Sequence, residues 1–531
     1  MKKTIIYLLM GASLMSLTNC DSLDVEPVSS ITDNNYWKSE AHFTAFNQGI
    51  HALFRERSYD FFRLGEVRCN IYGGTDSFGG EAAQGNSLMP LNALNANNVG
   101  IGNYASMYTA INQINLMIAK TTDTEILTEE TKNYYLGEAY GMRAFLYFQL
   151  LRSWGAVIIH SDYTSGTSLD LANLAKGVSS EEEVMQFIKD DIQASEKAFN
   201  NNYSFKLARN HWSLPATKVL KGEVYLWSGK QMGGGSSDYQ TAKTALEDVK
   251  NADVELINDF SKIFAYDNKL NKEIIFAIHN GKDEFNLWND SWRANMVPQQ
   301  AYLPNFCTAE GISFGKTPLS DVNGMIKFQL RDDVYHKVFR EGDTRRDASL
   351  VPVYKKEDNV IKFVSCFAFK YQGVLLDGAS LRSFLEDAPV YRYADCLLLL
   401  AEAKALLGED PAAEINAVRK RAYGEEYFNQ HQAEVAYPND NKAVVTDLIL
   451  GDIDVYSANK YIKPDNAGAL ETVLKERLRE LMFEGKRWYD IRLAGWDYVH
   501  AYSLAEQHRM LWPINQDVLT NNTALEQTPG Y

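Results

Sequence analysis

The chain has 531 residues, 45% hydrophobic and 23% charged, a composition that builds a sizeable packed core and excludes a disordered tail-like protein. Its formal net charge of −16 repels nucleic acid and anionic headgroups, which argues against DNA, RNA or polybasic membrane docking. Five cysteines stand far apart without CxxC spacing, so a cysteine zinc site is not expected.

The first element is short. Lys2 and Lys3 precede an apolar run from Ile5 to Leu17, and the run closes at Cys20 before Asp21, Asp24, Glu26 and Pro27. A bilayer core needs about 20 apolar residues, so this run does not span one. A basic start, a short apolar core and a terminal cysteine resemble a bacterial lipoprotein signal. On that reading residues 1–19 are removed, Cys20 carries the lipid, and the acidic stretch after it is a flexible tether. An ordinary secretory signal with an incidental cysteine is the alternative.

Helical periodicity follows in chain order at Tyr104–Lys120, Tyr134–Gly155, Pro215–Lys230 and Tyr391–Gly408, where apolar residues recur three and four apart. Three of these four segments have a partner helix downstream. Ser179 or Ser180 is placed to cap the segment starting at Glu181, and Asp410 to cap a helix with Pro411 in its first position. Gly137, Ala139, Ala144, Gly222, Ala394, Ala401 and Ala403 are the close-packing positions, resembling tetratricopeptide-type pairs. The pairs are not tandem, so a regular solenoid is excluded and a degenerate, interrupted repeat is expected. The fold class expected is mainly α: helix-turn-helix pairs with long loop-rich insertions and few short strands. The helical scaffold is placed at about 40–260 and 390–500 and the loop-rich insertion at about 270–390. Met142, Phe145, Leu146 and Leu150 are expected in the core, and Glu138 and Arg143 as structural ion partners on one helix. Cys396 reads as a buried small hydrophobe.

Several blocks in this order resemble the SusD/RagB family of outer-membrane lipoproteins of Bacteroidetes. They are Cys20 with its leader, "YASMYTAINQINLMI", "LGEAYGMRAFLYFQLLRSWGAVII", "EGDTRRDASLV", "VYRYADCLLLLAEA", "LKERLRELMFEGKRWYDIRLAGW" and the ending "LWPINQDVLTNNTALEQTPGY". The resemblance implies a SusD-like α-helical fold and a lipid-anchored position on the outer membrane at the cell surface. It also implies oligosaccharide or, in some members, peptide binding without catalysis. The implied partner is a SusC-like TonB-dependent transporter.

Sugar recognition needs flat apolar faces for C–H groups and planar polar groups for paired hydroxyls. Two loops offer both. The first, "VRCNIYGGTDSFGG", contributes Arg68, Asn70, Tyr72, Asp76 and Phe78; the second, "FNLWNDSWRANMVPQQAYLPNF", contributes Trp288, Trp292, Arg293 and Tyr302. The expectation is one shallow glycan platform made from both, with loop packing as the alternative role for each aromatic.

Catalysis finds less support. HExxH, GxSxG, GxxxxGK[ST] and EF-hand patterns are absent, and the nine histidines do not cluster at ligand spacing, so no metal or cofactor is expected. In "KERLRELMFEGKRWYDIRLAGW", Arg477–Glu480 and Glu484–Arg487 are opposite charges three apart, each worth about 0.2–0.5 kcal/mol if exposed. They read as a scaffold-locking face rather than an acid/base pair. A glycoside hydrolase remains an open alternative, because its two carboxylates leave no local motif. A helical scaffold that binds only protein partners is a third.

Overall fold

The computed structural model describes residues 36–73, 78, 88–101, 104–164, 175–282, 292–439, 468–503 and 505–531. Cys20, Asp76 and Trp288 lie outside the described residues.

Helix α1 (Glu40–Gly65) is followed by α2 (Ala105–Asp123), α3 (Glu129–Trp154), α4 (Glu181–Phe199), α5 (Leu214–Gln231) and α6 (Gly235–Asp248). Each packs on the helix before it. Helix α7 (Tyr393–Leu407) then packs on α6, while α8 (Ala412–Tyr423) and α9 (Ala469–Leu481) both pack on α7. The repeat is therefore interrupted in sequence and continuous in space. Between α6 and α7 run four strands in two small sheets. β1 (Ile274–Ile278) pairs antiparallel with β4 (Ala388–Arg392), and β2 (Leu350–Glu357) pairs antiparallel with β3 (Val360–Ala368). The β2–β3 turn is Asp358–Asn359, both at positive φ, the two-residue geometry whose twist matches a hairpin.

Local chemistry sets the helix ends. Ser180 Oγ accepts the Glu183 N–H at 3.2 Å while Glu183 Oε2 accepts the Ser180 N–H at 2.8 Å, a capping box that opens α4. Asp410 Oδ1 accepts the Ala412 N–H at 3.0 Å, but the helix begins at Ala412, one residue after the position the sequence suggests for Pro411. Gly408, in the left-handed region with φ 75°, closes α7. Glycine also sets how closely helices approach. A Cβ on Gly222 would lie 2.5 Å from Leu246 Cγ, and one on Gly141 would lie 2.0 Å from Trp212 Nε1.

Met142, Phe145, Leu146 and Leu150 are buried in the main core, as their spacing predicts. Cys69, Cys307, Cys366 and Cys396 are free thiols and all are buried. Cys396 lies where α7 meets α6, its sulfur 3.6 Å from the Leu246 carbonyl oxygen. Among the described residues no helix is long and apolar enough to cross a membrane.

One expectation about charge is corrected, and the locking role of another set is made specific. Glu138 and Arg143 are not partners: they sit five residues apart, about 140° around the helix, and face different neighbours. Arg143 forms a two-pronged pair with Asp191 on α4 at 2.8 and 2.7 Å, while Glu138 turns toward Asn47 on α1. Nor are the charges of α9 an exposed local series. The helix is enclosed by neighbours, so Arg477 and Glu480, like Glu484 and Arg487 beyond its end, find partners across interfaces. Arg477 bonds Asp395 at 2.8 Å and Asp490 at 3.0 Å. Glu480 accepts from Arg392 at 2.6 Å, from Arg345 at 3.0 Å and from Arg421. Glu484 accepts from Arg392 at 2.7 Å and from Lys370 at 2.5 Å. Arg487 reaches Asn70 and the Leu474 carbonyl.

Candidate functional site

The two aromatic loops adjoin each other. The end of α1 feeds a turn at Glu66, whose carboxylate accepts the backbone N–H groups of Phe483 (3.0 Å) and Lys486 (3.2 Å). Burial raises the Glu66 carboxyl to about 7, against the pull of those N–H donors. From this anchored turn the first loop runs alongside the second: the Tyr72 hydroxyl points to Met296 Sδ at 3.7 Å, and the Phe78 ring lies 5.2 Å from Phe306.

What meets there, however, is mostly interior. Arg68 is 1% exposed; its guanidinium donates to Asn92 Oδ1 at 2.8 Å and to the carbonyls of Leu511 and Arg509, between the rings of Trp488 and Trp512. Asn70 accepts from Arg487 Nε at 3.2 Å. Tyr72 is buried and bridges Leu330, and Phe78 belongs to a second core cluster with Phe306 and Phe367. Trp292, 3% exposed, stacks on Phe62 with ring centres 4.3 Å apart and planes 7° from parallel, and meets Tyr371 edge-on at 4.9 Å. The Arg293 guanidinium sits 4.7 Å from both the Trp292 and Tyr371 rings, and its burial lowers its pKa. Among the described candidates only Tyr302 keeps a partly open ring, at the edge of the second cluster. As placed, Arg68, Asn70, Tyr72, Phe78, Trp292 and Arg293 have their faces covered by protein and hold the loops rather than present them.

The structure also brings together residues that spacing does not pair. A cleft of about 340 Å³ opens between α1, the segment before α5 and β1; Gln48, His51, Arg55, Asn210, His211 and His279 line it. Two of its lining residues, His51 and His211, form with the buried Glu138 a cluster whose donor atoms all lie within 4.8 Å of one another. His51 comes from α1, Glu138 from α3 and His211 from the approach to α5, so no local motif announces them. A second cleft, of about 310 Å³, lies near Lys262, Tyr266, Lys370 and Glu386.

Glu476 and Glu480 of α9 are not placed to act as a general acid or base. Burial alone would raise Glu480, yet Arg421, Arg392 and Arg345 around it hold its carboxyl well below the usual range. Burial likewise opposes ionisation of Glu476, and Arg345 and Arg419 bring it down to about 2. Groups ionised this firmly, and enclosed, neither donate nor collect protons near neutral pH.

Comparison with known proteins identifies the architecture. A profile of the SusD family matches residues 378–492, and a profile described as starch-binding associating with outer membrane matches residues 21–220; together they span more than half of the chain. The solved structure of B. fragilis NanU is 58% identical with a TM-score of 0.88, covering 96% of this chain and 100% of that one. A SusD superfamily protein from Bacteroides vulgatus ATCC 8482 is also 58% identical, with a TM-score of 0.87 over 93% of this chain and 100% of its own. SusD-like protein P38 of Formosa agariphila is 25% identical over 100% of this chain and 99% of its own length. With matches at both ends of the chain and close full-length structural relatives, the protein belongs to the SusD family.

Proposed function

We propose that the chain is a cell-surface lipoprotein, anchored through Cys20, that captures oligosaccharides and delivers them to a SusC-like TonB-dependent transporter of the outer membrane. The observation that carries this reading is the junction of the two aromatic loops on a rigid helical frame, in a chain whose N-terminal part matches a profile described as starch-binding. Loops held by a fixed scaffold are where binding residues concentrate. On this reading Asp76, Trp288 and Tyr302 meet the ligand, while buried Arg68, Asn70, Tyr72, Phe78, Trp292 and Arg293 hold the loop backbones. No catalytic step is involved. A shallow platform with a few stacking contacts binds in roughly the micromolar-to-millimolar range, about −8 to −4 kcal/mol, weak enough for hand-over.

Isothermal titration of an oligosaccharide panel separates these roles. Trp288→Ala and Tyr302→Ala lower affinity for a bound glycan, whereas Trp292→Ala lowers stability because Phe62 loses its stacked partner. Unchanged affinity in both Trp288→Ala and Tyr302→Ala removes the loops from the site. Binding of a peptide in place of every glycan would reassign the ligand class.

A further inference from the structure

We infer that His51, Glu138 and His211 form a site for a divalent transition-metal ion of the zinc class, with one coordination position open to the cleft above it. The inference does not rest on the glycan reading.

Geometry is the first support. Glu138 Oε1 lies 3.7 Å from His51 Nε2 and 3.3 Å from His211 Nδ1. Zinc takes histidine nitrogen and carboxylate oxygen at about 2.0–2.1 Å, which in a tetrahedron sets donors about 3.3 Å apart. Two of the three separations therefore lie within a few tenths of an ångström of that value before any cation draws the ligands in.

The surroundings orient the ligands as a metal's outer shell does. His51 Nδ1 lies 2.9 Å from the Asn47 carbonyl oxygen, an acceptor, so Nδ1 carries the proton and Nε2 keeps its lone pair, which here accepts the Trp212 N–H at 3.3 Å and would exchange that bond for the ion. The same Asn47 donates its side-chain N–H to Glu138 Oε2 at 2.6 Å, and the Tyr134 hydroxyl donates to Oε1 at 3.1 Å. One residue thus fixes both a histidine tautomer and the carboxylate rotamer.

Charge and unsatisfied valence complete the case. Glu138 is 0% exposed, and no lysine or arginine among the described residues forms an ion pair with it. A buried carboxylate is costly unless paired, and here two neutral donors, Asn47 and Tyr134, hold it, so a bound cation would stabilise it further. His211 Nδ1 is buried and has no hydrogen-bond partner, although it faces the carboxylate. A divalent ion satisfies both at once. Three protein ligands with a fourth position facing a cleft of about 340 Å³ is the open arrangement, able to take water or an oxygen donor from a ligand in the cleft. The nitrogen-rich donor set favours zinc, cobalt or nickel over calcium and magnesium, which prefer all-oxygen shells.

Untagged chain lacking residues 1–20 is stripped with chelator, dialysed against Zn²⁺, and assayed for bound metal by plasma mass spectrometry; Co²⁺ serves as the spectroscopic probe. The expected result is about one equivalent per chain, visible cobalt bands of low-coordinate intensity, and at least a tenfold loss of affinity in His51→Ala and His211→Ala, each checked for folding by circular dichroism. Asn47→Ala, which leaves all three ligands in place, also weakens binding, by about 10-fold to 100-fold in the usual range for outer-shell partners. Substoichiometric metal overturns the inference, as does unchanged affinity in folded His211→Ala. Either would leave a purely hydrogen-bonded cluster, capped by the Trp212 N–H that now lies 3.3 Å from His51 Nε2.

Discussion

Arg392, the last residue of β4, places Nη1 2.6 Å from Oε1 of Glu480 on α9, and both side chains are buried. The pair joins the strand-bearing segment to the last long helix, with Arg345 and Arg421 completing the cluster around the same carboxylate. Glu480→Gln removes the charge that three guanidinium groups share. Breaking a buried pair while leaving its partners in place typically costs about 3–5 kcal/mol. Urea unfolding followed by far-ultraviolet circular dichroism should show a loss of that order. A loss below about 1 kcal/mol would mean that the network does not lock these elements together.

Glu402 on α7 predicts that stability falls as pH rises. Its carboxyl is buried, its oxygens lack hydrogen-bond partners, and the nearest guanidinium, that of Arg477, stays 4.0 Å away. Burial raises the group from 4.5 to about 8, with Arg477 opposing the rise. Between those two values the folded chain keeps a proton that the unfolded chain has lost, so this contribution to stability falls as pH rises through the window. Glu402→Gln, which mimics the protonated form, matches the parent in melting temperature near pH 4.5 and exceeds it increasingly up to pH 9. Parallel melting curves for parent and variant across that range would contradict the assignment.

Gly141 tests helix spacing. In a helix interior, Gly→Ala ordinarily adds about 1 kcal/mol of helix propensity. Here the added methyl would lie 2.0 Å from Trp212 Nε1, which donates to Thr217 Oγ1 at 2.8 Å. Overpacking of this kind costs about 1–3 kcal/mol, so Gly141→Ala should be net destabilised and show altered tryptophan fluorescence. A more stable variant with unchanged fluorescence would show that Trp212 moves freely.

How much of this was readable from residues alone differs by element. The helices on either side of Gly137, Gly222 and Ala401 carry their own periodicity and small-residue stripes, so their existence and close packing follow from local pattern. The packing of α7 on α6 does not, because that contact joins segments separated by both sheets. Charge was the least transparent feature. Arg477 and Glu480 stand three apart like an exposed helix pair, and only the enclosure of α9 reveals that each faces a different element. Trp292 and Arg68 sit in loops whose composition suits a ligand face, yet Phe62 and Trp512 cover them, and cover of that kind leaves no trace in composition. His51 and His211 come together only because α1 and the approach to α5 meet over Glu138.

Membrane attachment has its own test. If Cys20 carries the lipid, Cys20→Ala leaves the fold intact and moves the protein from the membrane fraction to the soluble fraction, since lipid chains supply the anchoring free energy. Retention of the variant in the membrane fraction would contradict the anchor.

The central claim, capture of oligosaccharide without turnover, is tested most directly by a glycan array probed with soluble chain lacking residues 1–20, followed by a reducing-end assay on each glycan retained. The account predicts binding to a restricted set of glycans in the micromolar-to-millimolar range, with no reducing ends released. Release of reducing ends, or the absence of any glycan bound in that range, would contradict it.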